Sequence, residues 1–203
     1  TNLAYQTGKV LGIVEVCLVL NLITMGLGMI FHILFGEPGT FQLKIYFVYL
    51  FVMTLPTLFF VLGVALIVAN RVKNHALAVL VLLAVFTAFY FGTTDFSCGT
   101  IDPWGRVLPL LFSDVTGMTR LEWIILQRGM FVFLGLGLVI LAMGMMPRLS
   151  ERAGVTWKVR AGGWTFLLIG ILFGGAYYGI FHEINNRRDL YRDCLLYTSD
   201  AAD

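Results

Sequence analysis

Residues 45–75 read IYFVYLFVMTLPTLFFVLGVALIVANRVKNH, and no charge interrupts them between Lys44 and Arg71. Twenty-six uncharged residues in succession make about 39 Å of helix, more than the ~30 Å hydrocarbon core of a bilayer. A helix in a soluble core rarely stays apolar on every side over such a length. The basic turn NRVKNH (70–75) is too short to form a domain, so the next uncharged run, 74–94, returns antiparallel to the first. Helix, tight basic turn, helix is the signature of a chain that uses lipid as solvent.

The rest of the sequence repeats the pattern. Uncharged runs also cover 16–36, 129–147 and 161–182, with lengths of 21, 19 and 22 residues. Hydrophobic residues make up 59% of the 203 positions and charged residues 13%, about half the charged share of a soluble domain. The expectation is an all-α polytopic membrane protein with five transmembrane helices at about 10–35, 43–70, 75–93, 125–146 and 162–183, and an outer loop over 94–124. The first run lacks a small-residue cleavage site and does not read as a signal peptide. A net charge of +2 and the lack of a basic patch interleaved with aromatics argue against nucleic acid as a partner.

Basic residues in short loops orient such a chain. Lys9, Arg71, Lys73, Arg148, Arg152, Lys158 and Arg160 fall on one face, with Glu151 the one acid. The other face, up to residue 182, holds Lys44, Arg106, Arg120 and Arg128 among five acids. The first face is therefore assigned to the cytoplasm, and residues from 183 onward to the outside.

Within the spans, polar and helix-breaking residues are the candidates for function. Glu15 lies within two turns of the start of the first run, where it is either a headgroup-level or paired carboxylate or a transport residue. Asn21 and Thr24 follow on the same helix as interhelical hydrogen-bonding groups. Pro56 removes one backbone hydrogen bond, so a kink near 52–56 is expected, either structural or used as a hinge. Gly170 with Gly174, and Gly175 with Gly179, form two small-xxx-small pairs that mark a packing face. In the outer loop, VLPLLF (107–112) is apolar, and SDVTGMTRLEW (113–123) reads as a turn opening into a helix, with Ser113 or Asp114 as cap. Thr119 and Glu122 fit a capping box. An interfacial segment near Trp104 and Trp123 is one reading; a surface loop with a buried apolar anchor is the other.

Motifs for covalent chemistry are incomplete. His182-Glu183 opens a zinc-protease pattern, but Asn186 stands where the second His must be. Thr7-Gly8-Lys9 lacks the upstream glycine of a phosphate loop, and Val10 replaces its Ser or Thr. Cys17, Cys98 and Cys194 suggest neither a disulfide nor a metal site. The chain is expected to be no enzyme, with no catalytic, cofactor-binding or metal residues of its own.

Three stretches in order carry a resemblance: NLAYQTGKVLGI (2–13), LPTLFFVLGVALIVANRVKNHALAVLVLL (55–83) and LPLLFSDVTGMTRLEWIILQRGMFVFLGLGLVILAMGMMPRL (108–149). Over about residues 2–193 the chain resembles ABC-2 type transporter permeases, in particular a bacterial subgroup sometimes fused to a zinc aminopeptidase-like domain. The resemblance implies a partial permease domain over 1–193 of a protein with six or more spans, in the bacterial inner membrane. It further implies a membrane subunit of an ATP-driven exporter, working with a second permease subunit or half and with a cytosolic ATP-binding subunit that holds ATP and magnesium. Gly8 and Lys9, then Arg71 and Lys73, become the candidate segments for coupling to that ATPase. Ser113, Asp114, Thr116 and Gly117 become the outer-loop signature. Two alternatives stay open: the membrane anchor of a membrane-bound peptidase, or a membrane assembly subunit without transport. The last ten residues, CLLYTSDAAD (194–203), resemble the translation of a transposase mosaic-end adaptor, so they are expected to be foreign to the fold.

Overall fold

The computed structural model describes residues 2–36, 41–92, 100–106, 108, 112–113, 117–118, 121–145 and 153–200. Six α-helices account for nearly all of them: α1 (Asn2–Phe35), α2 (Leu43–Tyr49), α3 (Leu55–Arg71), α4 (His75–Gly92), α5 (Leu121–Met145) and α6 (Ala153–Asp200). A five-residue π turn, Leu50–Thr54, joins α2 to α3. The fold is helical, and four segments are long and apolar enough to cross a membrane: Thr7–Phe35, Leu43–Arg71, Leu121–Met145 and Trp157–Ile184. His75–Phe91 is apolar but shorter, about 26 Å of helix. Among the described residues there are thus four candidate spans plus one shorter apolar helix, where composition suggests five spans.

Helix α5 is the centre of the molecule. It packs mainly on α6 and α3, while α4 leans on α3 and α1 meets α5 only slightly. The consequence appears in burial: 44% of the most apolar window of α5 is inside the chain, against 6% for α1. An apolar helix so little covered by its own chain must be covered by lipid or by other protein.

Glycine sets how close the central helices come. A Cβ on Gly135 would fall 2.5 Å from the backbone of Phe59 and Phe60, and one on Gly63 would fall 2.9 Å from the carbonyl oxygen of Gly135. The α3–α5 crossing is thus backbone against backbone, the arrangement small residues permit between membrane helices. Phe60, Met130 and Phe131 close the core beside it, joined by Phe89 and Phe173. The Phe60 and Phe131 rings meet edge to face at 5.1 Å, a favoured aromatic geometry.

The break in the second span takes a form that composition alone does not specify. Pro56, buried, has no N–H for the carbonyl four residues back. The chain meets this with the wide turn Leu50–Thr54 just before it, and π turns of this sort interrupt helices where backbone pairing cannot stay regular. Elsewhere, the stretch 113–123, expected to be a turn opening into a helix, takes part in a short ladder. Phe112–Ser113 pairs antiparallel with Gly117–Met118 in a two-residue ladder, and α5 starts at Leu121. Asp114, Thr116, Thr119 and most of 107–111 lie outside the described residues.

Candidate functional site

The described polar groups gather where the outer loop meets the start of α3 and α5. Asp102-Pro103-Trp104-Gly105 has the residue order of a β-turn, with Asp first, Pro second and Gly fourth. The Gly105 N–H donates to the Asp102 carbonyl at 3.3 Å and to its Oδ1 at 3.1 Å, and the Trp104 N–H donates to the same Oδ1 at 3.2 Å. Gly105 sits at φ +75°, a conformation that L side chains rarely adopt. A Cβ there would also strike the Arg128 guanidinium.

Arg128 holds this turn from below. Its Nη1 donates to Pro103 O at 2.9 Å and its Nη2 to Asp102 O at 3.3 Å. Gln127 Nε2 reaches Asp102 O at 3.5 Å. The Thr57 hydroxyl lies 2.7 Å from Pro103 O and 2.9 Å from Met53 O, so its single proton is shared between the loop and its own helix. Gln127 and Arg128 are 0% and 3% exposed, which makes them core residues of the bundle. Their carbonyl partners offset the loss of water, since a hydrogen bond to a charged group contributes about 1.5–3 kcal/mol. The Phe131 ring lies 5.7 Å from the Arg128 guanidinium carbon and adds a cation–π contact.

Beside this clamp opens a cleft of about 360 Å³ between α1 and α3, lined by Asn21, Met53, Thr54, Thr57, Leu58, Val61 and Trp104. One wall contains the end of the π turn and the first turn of α3, so the irregular backbone lies where the cleft is. Trp104 roofs it, its ring 5.9 Å from that of Phe86 on α4. The lining combines amide, hydroxyl and indole groups with aliphatic ones and carries no charge. Chemically it can bind an amphipathic or weakly polar group.

The other candidate residues are dispersed. Asn21 reaches the cleft; Thr24 donates to Leu20 O on its own helix at 2.9 Å; Glu15 is exposed on α1. Gly8 and Lys9 are exposed near the start of α1, and Arg71 and Lys73 are exposed around the α3–α4 turn. Gly170 and Gly174 face α5, where a Cβ would meet Leu134 and Met130, whereas Gly175 and Gly179 have open space within 4 Å. Ser113 and Gly117 are opposite each other in the two-residue ladder.

Arg128 and the turn it clamps have no place among the sequence candidates, because a charge next to an apolar run reads as the end of a span. The helical phase carried the missing signal. Ile124, Gln127, Arg128 and Phe131 are spaced i, i+3, i+4 and i+7 and share one face, and all four are buried. Asn70 and Arg160 belong to the same class. They donate to Ala142 O at 2.9 Å and Gly144 O at 3.2 Å, two of the last four carbonyls of α5, which have no partner within the helix.

Comparison of the chain with family models, with curated proteins and with solved structures finds no match.

Proposed function

We propose that the chain is the membrane-spanning subunit of an ATP-driven transporter of the ABC-2 type, working as an exporter. Cytosolic ATPase subunits would drive it, and a second permease subunit or half would complete the path. One observation carries this proposal: an uncharged, mixed-polarity cleft opens between the loosely packed α1 and the π-turn segment ahead of Pro56. A cleft at a break in a membrane helix is the usual place for irregular backbone that serves a solute rather than lipid. The exposed apolar length of α1 suits a helix that meets a second subunit. Gly8, Lys9, Arg71 and Lys73, all exposed, suit contact with an ATPase at the basic face assigned to the cytoplasm. ATP and magnesium would reside on that partner. The ordered resemblance of 2–13, 55–83 and 108–149 points the same way.

The test is co-purification of the protein with any phosphate-loop ATPase that a neighbouring reading frame encodes, followed by ATP hydrolysis in nanodiscs. Association and lipid-stimulated turnover are expected. Failure to associate in both detergent and nanodiscs would sink the proposal.

A further inference from the structure

At the end opposite the clamp, three spans finish or begin at one level. Arg71 is the last residue of α3, Met145 the last of α5, and Arg160 lies near the start of the span Trp157–Ile184. Between them is a notch of about 390 Å³ lined by Arg71, Leu141, Met145, Arg160 and Trp164. We propose that this notch binds one anionic phospholipid, its phosphodiester between Arg71 and Arg160 and the start of an acyl chain along Leu141, Met145 and Trp164.

The lining divides as a lipid does. Two guanidinium groups, the residue type suited to bidentate phosphate contacts, stand on the polar side. Two aliphatic side chains and an indole form the other side. A soluble anion or an acidic protein loop would use the arginines and leave that apolar wall without a role. Depth agrees: Arg160 is three residues into its span and Trp164 seven, about 4 and 10 Å along the helix. That range is where headgroups give way to acyl chains and where tryptophan concentrates. A basic notch between helices at the cytoplasmic level is a recognised site for anionic headgroups.

Arg160 is pre-positioned for this. Its Nε donates to Gly144 O at 3.2 Å, and its Cγ would lie 3.1 Å from a Cβ on Gly144. Gly144 therefore lets the arginine stem lie across the end of α5 while the side chain lines the notch. The C-terminal ends of α3 and α5 bring partial negative charge to the same place. Two arginines exceed it and leave the notch cationic.

The inference requires that the chain be a membrane protein but not that it be a transporter. The experiment takes the full-length protein in nanodiscs of phosphatidylcholine alone or doped with phosphatidylglycerol. Native mass spectrometry counts the lipid retained after release, and a thermal melt reads stabilisation. One retained phosphatidylglycerol and a higher melting temperature are expected for the wild type. Arg71→Gln is the clean variant, because Arg71 caps no other helix; it should weaken retention about five-fold, the worth of one basic residue at an anionic surface. Arg160→Gln should weaken it at least as much, and Arg160→Lys should restore part of the preference. Equal retention of both lipids by the wild type would overturn the proposal, as would an unchanged preference in Arg71→Gln/Arg160→Gln. Inorganic phosphate supplied to phosphatidylcholine nanodiscs should give no comparable stabilisation. An equal rise with phosphate would reassign the notch to a soluble anion.

Discussion

Arg128 and Gly105 form one unit, each explaining the other. The turn comes down onto the bundle because Gly105 has no side chain to hold the guanidinium away, and the guanidinium is tolerated inside because the turn presents two carbonyls to it. Gly105→Ala combines a left-handed backbone conformation with a steric conflict, so it should destabilise the protein by about 2 kcal/mol, read as a lower midpoint in a detergent melt. Arg128→Met preserves volume but leaves Asp102 O and Pro103 O without their charged donor. A loss of roughly 3 kcal/mol is expected, together with faster proteolysis over 100–108. Unchanged proteolysis would mean that Gln127 and Thr57 hold the turn unaided. The clamp was hard to read from sequence for a physical reason: a charge informs about a helix end or a helix interior depending on what covers it, and the covering turn is about 25 residues away. The turn itself, Asp-Pro-Trp-Gly, has turn-forming residue types but no place among the sequence candidates.

At the scale of elements, helix contacts follow glycine where it meets backbone. Gly135→Ala should push α3 from α5 and lower the melting midpoint markedly, since neither Phe59 nor Phe60 can move its backbone aside. Gly175→Ala meets open space and should be neutral or stabilising by up to about 1 kcal/mol through helix propensity in the isolated chain. If α6 packs on a second subunit through Gly175 and Gly179, the same substitution would weaken assembly while leaving the monomer intact; crosslinking distinguishes the two outcomes. Pro56 and its π turn call for a different measurement. Pro56→Ala returns an N–H to the span, so it should retain folding and, under the proposed function, lower transport-coupled ATP turnover. Unchanged turnover would assign Pro56 to packing. The long uncharged runs made the helices readable because lipid demands continuous apolarity; α1, α3 and α5 end at Phe35, Arg71 and Met145, whereas α6 spans Ala153–Asp200 where 162–183 is expected. The hairpin ladder at 112–118 escaped notice because two residue pairs leave no periodicity to read.

For the whole molecule, cohesion is uneven. α5 packs between α3 and α6, α4 lies against α3, and α1 stands largely apart, touching α5 slightly and tied by His32 to Tyr46. The His32 ring nitrogen is 2.8 Å from the Tyr46 hydroxyl, and Phe41 meets the same imidazole edge-on at 5.8 Å. Spin labels at Ile23 and Val61 should therefore give a broad distance distribution in the isolated chain in nanodiscs, narrowing when partner subunits are added. A narrow distribution in the isolated chain would mean that lipid alone fixes α1. This unevenness is beyond composition, since α1 and α5 are similarly apolar and each carries four glycines, those of α5 against neighbours and those of α1 in open space.

The His32–Tyr46 contact turns that unevenness into mechanics. It is a pivot at one end of a rod, with Lys9 at the other end, about 35 Å away, and Asn21 about halfway between, some 16 Å from the pivot. Any sideways pull on Lys9 reaches Asn21 at roughly half its amplitude, so an excursion of a few ångströms at the basic end widens or narrows the cleft by a bond length or more. Under the proposed function the rod would work as a reducing lever, trading distance for force at the cleft wall.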